Sequence, residues 1–137
     1  MFTSVTTRKA SPLLKLILKN LCAALFCALF GAVYEGFSHG VWSYPMVYAF
    51  AFPLVLGVLP LLLLGFFRAP NPKAAARNLY HAGIATLTVG SIVTGVLEIY
   101  GTTNPLTLVY WLLGGAFVLL GAALYLVPLC KRKEAAA

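Results

Sequence analysis

The ten Lys and Arg residues of this chain fall in three short segments, and long apolar stretches separate those segments. Arg8, Lys9, Lys15 and Lys19 form the first segment, Arg68, Lys73 and Arg77 the second, Lys131, Arg132 and Lys133 the third. Two further connections, residues 38–44 and 101–105, interrupt the apolar stretches without any Lys or Arg. Basic loops stay on the cytoplasmic face of a membrane. The alternation therefore predicts an all-α integral membrane protein, a four-helix bundle with short loops and cytoplasmic N and C termini. The spans are predicted over residues 13–37, 45–67, 76–99 and 106–129.

Composition agrees with a single transmembrane domain over 1–137, since 61% of the 137 residues are hydrophobic and only 9% charged. Each span consumes about 20 residues, and what is left is tails and tight turns. The net charge of +7 flanks membrane spans on one side only, which points to anionic lipid headgroups and not to nucleic acid. A multi-pass protein of the plasma membrane, of the bacterial inner-membrane kind, is the expected setting. Lys15 and Lys19 lie among the first apolar residues and no Ala-x-Ala-like site follows, so the first stretch reads as a retained helix and not a cleaved leader.

Chemical motifs are sparse. Cys22, Cys27 and Cys130 form no paired-cysteine motif, so neither a disulfide nor a metal site is expected. His39 and His81 fall at opposite ends of the predicted bundle and cannot share one haem iron. There is no Asp, no phosphate-binding Gly-rich loop and no His-Glu-x-x-His helix. No enzymatic activity and no cofactor are expected.

Prolines and small residues carry more information. Pro53 and Pro60 lie inside the second span, where each removes a backbone donor and favours a kink. Stripes of small residues at spacing four run along the first helix (Ala23, Cys27, Gly31) and the third (Ala82, Thr86, Gly90, Thr94). Such stripes let membrane helices approach closely, so helices one and three are expected to form the tight centre of the bundle or of a dimer, with bulkier helices two and four outside. A weak parallel repeat of two hairpins relates Gly31/Glu35 to Gly95/Glu98, and Pro45/Tyr48 to Pro105/Tyr110.

Each stripe runs on into a carboxylate, Glu35 on helix one and Glu98 on helix three, with His39 one step beyond Glu35. If the hydrocarbon begins near Leu21, Glu35 lies roughly 20 Å into it, just short of the far boundary. An ionisable residue at such a depth is expensive and marks a functional site. Two carboxylates held together favour a bound proton or cation, and aromatic faces beside them suit an organic cation. The candidate binding residues are Glu35, Glu98, His39, Tyr34, Tyr48 and Tyr110. Trp42, Tyr44, Tyr100 and Trp111 share that end of the chain, where tyrosine and tryptophan also form the ordinary interfacial belt. Glu35 and Glu98 could equally be helix-end residues at the headgroups.

Two functions follow as expectations. The first is a small transporter or permeation unit for a cation or cationic organic molecule, with the carboxylates binding or exchanging protons and Pro53 and Pro60 permitting rearrangement. The second is a non-catalytic accessory subunit scaffolding a larger membrane complex, such as an exporter or a redox enzyme. Expected partners are the lipid bilayer and either a second copy of the chain or a larger membrane protein. In size and helix count the chain resembles the small multidrug resistance transporters, which use a membrane-embedded Glu in the first helix. Here Glu35 lies late in that helix and its neighbours differ, so the resemblance is one of architecture and assigns no family.

Overall fold

In the computed structural model, which describes residues 11–136, the chain is all-helical with no strand among the described residues. Three helices are long and apolar enough to cross a membrane: α1 (Pro12–Phe37), α4 (Ala74–Ile99) and α5 (Thr107–Ala136). At 26 residues each, α1 and α4 extend about 39 Å, beyond the roughly 30 Å of a hydrocarbon core. Ser11 caps α1, its hydroxyl accepting the Leu14 N–H at 3.3 Å, and Pro12 occupies the first turn, where its missing donor costs nothing. The far end of α4 closes on Gly101 (φ +72°): the Gly101 N–H donates to Glu98 and the Thr102 N–H to Leu97, which satisfies the last carbonyls.

The apolar stretch expected as one helix over 45–67 is broken into three pieces. These are a single turn α2 (Tyr44–Val47), a π-helical segment (Phe52–Val58) and α3 (Leu59–Phe66). The continuous helical part, Phe52–Phe66, is shorter than a span, at most about 22 Å. The prolines explain the break. Pro53 brings no N–H to the start of the π segment, and Pro60 deprives the Leu56 carbonyl of its α-helical donor. The Tyr80 hydroxyl of α4 donates to Leu56 instead, at 2.9 Å. The backbone loosens into wider turns between the two prolines where two sharp kinks were expected.

A second difference concerns the last helix, which was expected to end near residue 129. It runs through Pro128 to Ala136. A mid-helix proline removes one bond and bends a helix without ending it when good helix formers follow; Lys131, Arg132 and Lys133 also complement the negative end of the helix dipole.

Packing corrects the expected pairing of helices one and three. The main partner of α4 is α5, and α1 packs on α2, the π segment and α3. Antiparallel α4 and α5 interlock through glycines seven residues apart on each helix. A Cβ placed on Gly83 would come within 2.6 Å of the Val118 nitrogen, and one on Gly121 within 2.6 Å of the Tyr80 nitrogen. Gly90 accommodates Tyr110, and Gly114 accommodates Leu87. Helix four is therefore not merely bulky: Gly114 and Gly121 give it a close-packing face.

Between α1 and α4 lies the broken second stretch. Its Met46, fully buried, fills the space left by Gly31 of the helix-one stripe and by Gly95, a neighbour of the stripe expected on helix three. A Cβ on Gly31 of α1 would meet the Met46 carbonyl oxygen at 3.1 Å, and one on Gly95 of α4 would meet the Met46 nitrogen at 2.8 Å. The stripe on α1 does permit close approach, but to a turn and not to α4, while Gly90 of the expected helix-three stripe faces α5. Non-helical backbone at this depth is tolerated only when protein surrounds it, and Ser43, Met46 and Ala49 are all fully buried.

The carboxylate pair and the turn between it

Glu35 sits two residues from the end of α1 and Glu98 one residue from the end of α4, each one turn past the glycine that touches Met46. The wedge between the helices decides how these acids meet. Ser43, the N-cap of α2, turns its backbone N–H to Glu35 Oε1 at 2.9 Å and donates its hydroxyl proton to Glu98 Oε2 at 2.7 Å. One buried serine thus links the two carboxylates. Its hydroxyl oxygen also lies 3.4 Å from the Met46 N–H, the capping contact that starts the turn. Ser91 of α4 fixes the same turn from below, donating to the Pro45 carbonyl at 2.6 Å.

The two acids are not equivalent. Glu98 is exposed, while Glu35 is half-buried and its Oε2 is shielded from solvent with no hydrogen-bond partner. A desolvated acceptor without a donor is costly, so this oxygen is the unsatisfied atom of the pair. At the base of the turn the Ser38 hydroxyl lies 2.7 Å from the Glu35 carbonyl oxygen and 2.6 Å from that of Val41, with one proton to serve both. It holds the α1 terminus against the following loop, where His39 (φ +55°) and Gly40 (φ +92°) reverse the chain.

The other sequence-predicted residues divide. Tyr34 and His39 line a shallow cavity of about 410 Å³ together with Tyr100, beside the carboxylates but lined by neither of them. His39 is exposed, and its Nδ1 lies 2.9 Å from the Phe37 carbonyl oxygen. Tyr34 stacks on Phe30 with ring centroids 5.8 Å apart. Tyr48 is exposed and stacks on Tyr44, 6.5 Å away. Tyr110 lies elsewhere, packed across Gly90 in the α4–α5 interface. Pro53 lies in the first turn of the π segment and Pro60 in the first turn of α3. Among the described residues no group of three or more His, Cys, Asp or Glu is placed to hold a metal ion.

Ser43 and Ser91 are the polar residues that the sequence reading did not place in the site. A usable signal existed for Ser43: a serine two residues before Pro45 in an otherwise apolar connection is an N-cap pattern, and it marks the start of a helical turn. Nothing in the sequence says which distant acid that serine would face. Comparisons with known protein families, with characterised proteins and with solved structures returned no match.

Proposed function

We propose that the chain is a small multi-pass membrane transporter for a proton-exchanged cation or cationic organic molecule, with Glu35 as the binding acid. Four passes with cytoplasmic termini, in a plasma membrane of the bacterial inner-membrane kind, follow from the placement of the basic residues. The observation that carries the reading is the unpartnered, buried Glu35 Oε2 beside a carboxylate that faces out. Glu98 would meet the incoming cation, and Ser43 would couple its position to Glu35 through the two hydrogen bonds it makes. His39, Tyr34 and Tyr100 would border the approach. A discontinuous segment beside a membrane-embedded acid is a recurrent way to build such sites, and π-helical turns often accompany functional positions. Both occur here in the second stretch, so the π segment between Pro53 and Pro60 is where rearrangement would be easiest.

The test uses purified protein in proteoliposomes loaded with a pH-sensitive dye and challenged with tetraphenylphosphonium or with sodium. Glu35→Gln, close in shape, is expected to abolish cation-driven proton movement while reconstituting with unchanged helicity. Movement at the wild-type rate in that variant would refute the proposal.

A second reading, an accessory subunit of a larger membrane complex, is favoured by the apolar outer face of α1, where Leu18, Leu25, Phe26, Leu29 and Val33 are all exposed. Lipid or a partner helix would cover that face equally well. Stable copurification with a larger membrane protein, together with full tolerance of Glu35→Gln, would favour this reading over transport.

A further inference from the structure

At the end of the molecule opposite the carboxylates, α1 and α4 stand apart. The cavity between them is about 660 Å³, backed by Pro53 of the π segment. Lys15 and Lys19 line it from α1, one helical turn apart; Arg77 and His81 line it from α4, also one turn apart. Two rungs of basic side chains therefore face a common space. Asn20 and Asn78 add amide donors between them. The Asn20 amide nitrogen is used in part, donating to the Leu16 carbonyl at 2.9 Å.

No carboxylate lines this cleft. The chain has only three acids, and Glu35, the acid of α1, lies sixteen residues beyond Lys19, about 24 Å along the helix. Three formal positive charges thus line one space that no carboxylate lines, and Glu134, the acid at this end, sits in the last turn of α5, which packs on α4. Further along the cleft the walls become apolar, with Ile84 and Val89 on α4 and Ala23 on α1. A space that is cationic at its mouth and apolar deeper in suits an amphiphile with an anionic head. A free inorganic anion would use the mouth and leave the apolar walls uncovered.

We infer that the α1–α4 cleft at the basic end binds the headgroup of an anionic phospholipid, with Lys15, Lys19 and Arg77 contacting the phosphate and an acyl chain lying against Ala23, Ile84 and Val89. Basic recesses between membrane helices hold anionic lipid heads by this combination of charge and apolar wall. The inference is independent of the carboxylate site and of whether the protein transports anything. It also accounts for a gap that the fold leaves open: Met46 separates α1 from α4 at one end, and a lipid would complete the packing at the other.

The experiment is native mass spectrometry of the full chain in non-ionic detergent, given equal amounts of phosphatidylglycerol and phosphatidylcholine of the same chain length. Preferential retention of one phosphatidylglycerol per chain is expected. The double variant Lys19→Gln/Arg77→Gln should weaken that retention roughly tenfold or more. Lys131→Gln/Arg132→Gln, which removes the same charge outside the cleft, should leave it within about twofold. Should the first double variant fold poorly by circular dichroism, Ala23→Phe fills the apolar part from an exposed position without touching a charge, and it should also expel the lipid. Equal losses in the two double variants would reduce the effect to general charge attraction and overturn the inference. So would equal retention of both lipids, retention undiminished by Ala23→Phe, or displacement of the lipid by millimolar inorganic phosphate, which would mark a site for the free anion.

Discussion

Helix α4 meets its two neighbours by opposite means. Toward α5 it offers Gly83 and Gly90, and α5 answers with Gly114 and Gly121 at the same spacing, so backbone sinks against backbone along the shared length. Toward α1 it makes no comparable contact: Met46 holds the helices apart at the carboxylate end, and an open cleft separates them at the basic end. The residues on the two sides of α4 are similarly small. What differs is the partner. A small-residue stripe specifies that some backbone can approach closely; whether it is a helix or a turn depends on what the approaching chain offers. A helix brings backbone groups that are already satisfied. A turn brings free donors, and here Ser43 delivers its N–H and hydroxyl to two glutamates. The close-packed side of α4 is structural, and the interrupted side collects the polar chemistry.

The comparison is broken most severely at Gly83. A Cβ there would stand 2.6 Å from the Val118 nitrogen and 2.8 Å from the Gly114 oxygen, both backbone atoms that cannot turn away. Gly83→Ala should cost about 3 kcal/mol, the upper part of the usual overpacking range, despite alanine's better helix propensity. Gly115→Ala is the control, since a Cβ at Gly115 meets nothing within 4 Å. It should be neutral or stabilise by up to about 1 kcal/mol. Unfolding in mixed micelles by SDS titration, followed by circular dichroism, measures both. Similar costs for the two substitutions would mean that the glycines do not set the α4–α5 distance.

Gly95 tests the other side. Its added Cβ would meet the Met46 Cβ, nitrogen and Cα between 2.7 and 2.9 Å. A single turn can shift more readily than a second helix, so Gly95→Ala should cost less than Gly83→Ala, about 2 kcal/mol. The direction of the shift matters more than its energy. Moving Met46 away from α4 draws Ser43 off Glu98, so the proposed cation-driven proton movement should fall along with stability. Gly83→Ala should lower stability without this selective loss once the protein is reconstituted. If both variants lost activity only in proportion to their unfolding, the turn would have no special role.

Much of this was legible in the sequence. Three of the four apolar stretches form long helices near the expected positions, because an apolar run of that length with polar ends has few other ways to satisfy its backbone in lipid. Glu35 and Glu98 lie late in α1 and α4 and share Ser43, but the premise that brought them together in the sequence, two stripes facing each other, does not hold. Their link through Ser43 was not legible. The stripe on helix one gave the right face at Cys27 and Gly31, but the stripe on helix three did not: Ala82 is exposed, Gly90 packs on Tyr110 of α5, and Met46 sits on Gly95 beside the stripe. The second stretch misled as well: Pro53 and Pro60 signal lost donors, but whether the backbone kinks or widens depends on tertiary acceptors and donors such as the Tyr80 hydroxyl. The Gly114 and Gly121 pair has a spacing of seven and so falls outside the four-residue stripes. The hairpin repeat has the same limit, since residues 101–106 lie exposed whereas Ser43 and Met46 in the first connection are fully buried.

The finest test of the contrast separates a hydroxyl that ties α4 to the turn from one that serves only its own helix. Ser91, almost fully buried, donates to the Pro45 carbonyl across the gap. Thr88, one turn earlier, donates back to Ile84 in α4 itself. Interhelical hydrogen bonds in membranes average about 0.6 kcal/mol and reach about 1.7. Ser91→Ala should fall toward the upper figure, because the half-buried Pro45 carbonyl loses a short bond from a buried hydroxyl. Thr88→Val should change stability by a few tenths of a kcal/mol at most, since its hydroxyl bonds a carbonyl that the helix ladder already serves. The same micelle titration resolves the pair when both variants are measured against Gly115→Ala. A cost for Thr88→Val equal to that for Ser91→Ala would place the stabilisation within α4. A cost confined to Ser91→Ala would place it at the joint between α4 and the turn, the contact on which the serine bridge between the two carboxylates depends.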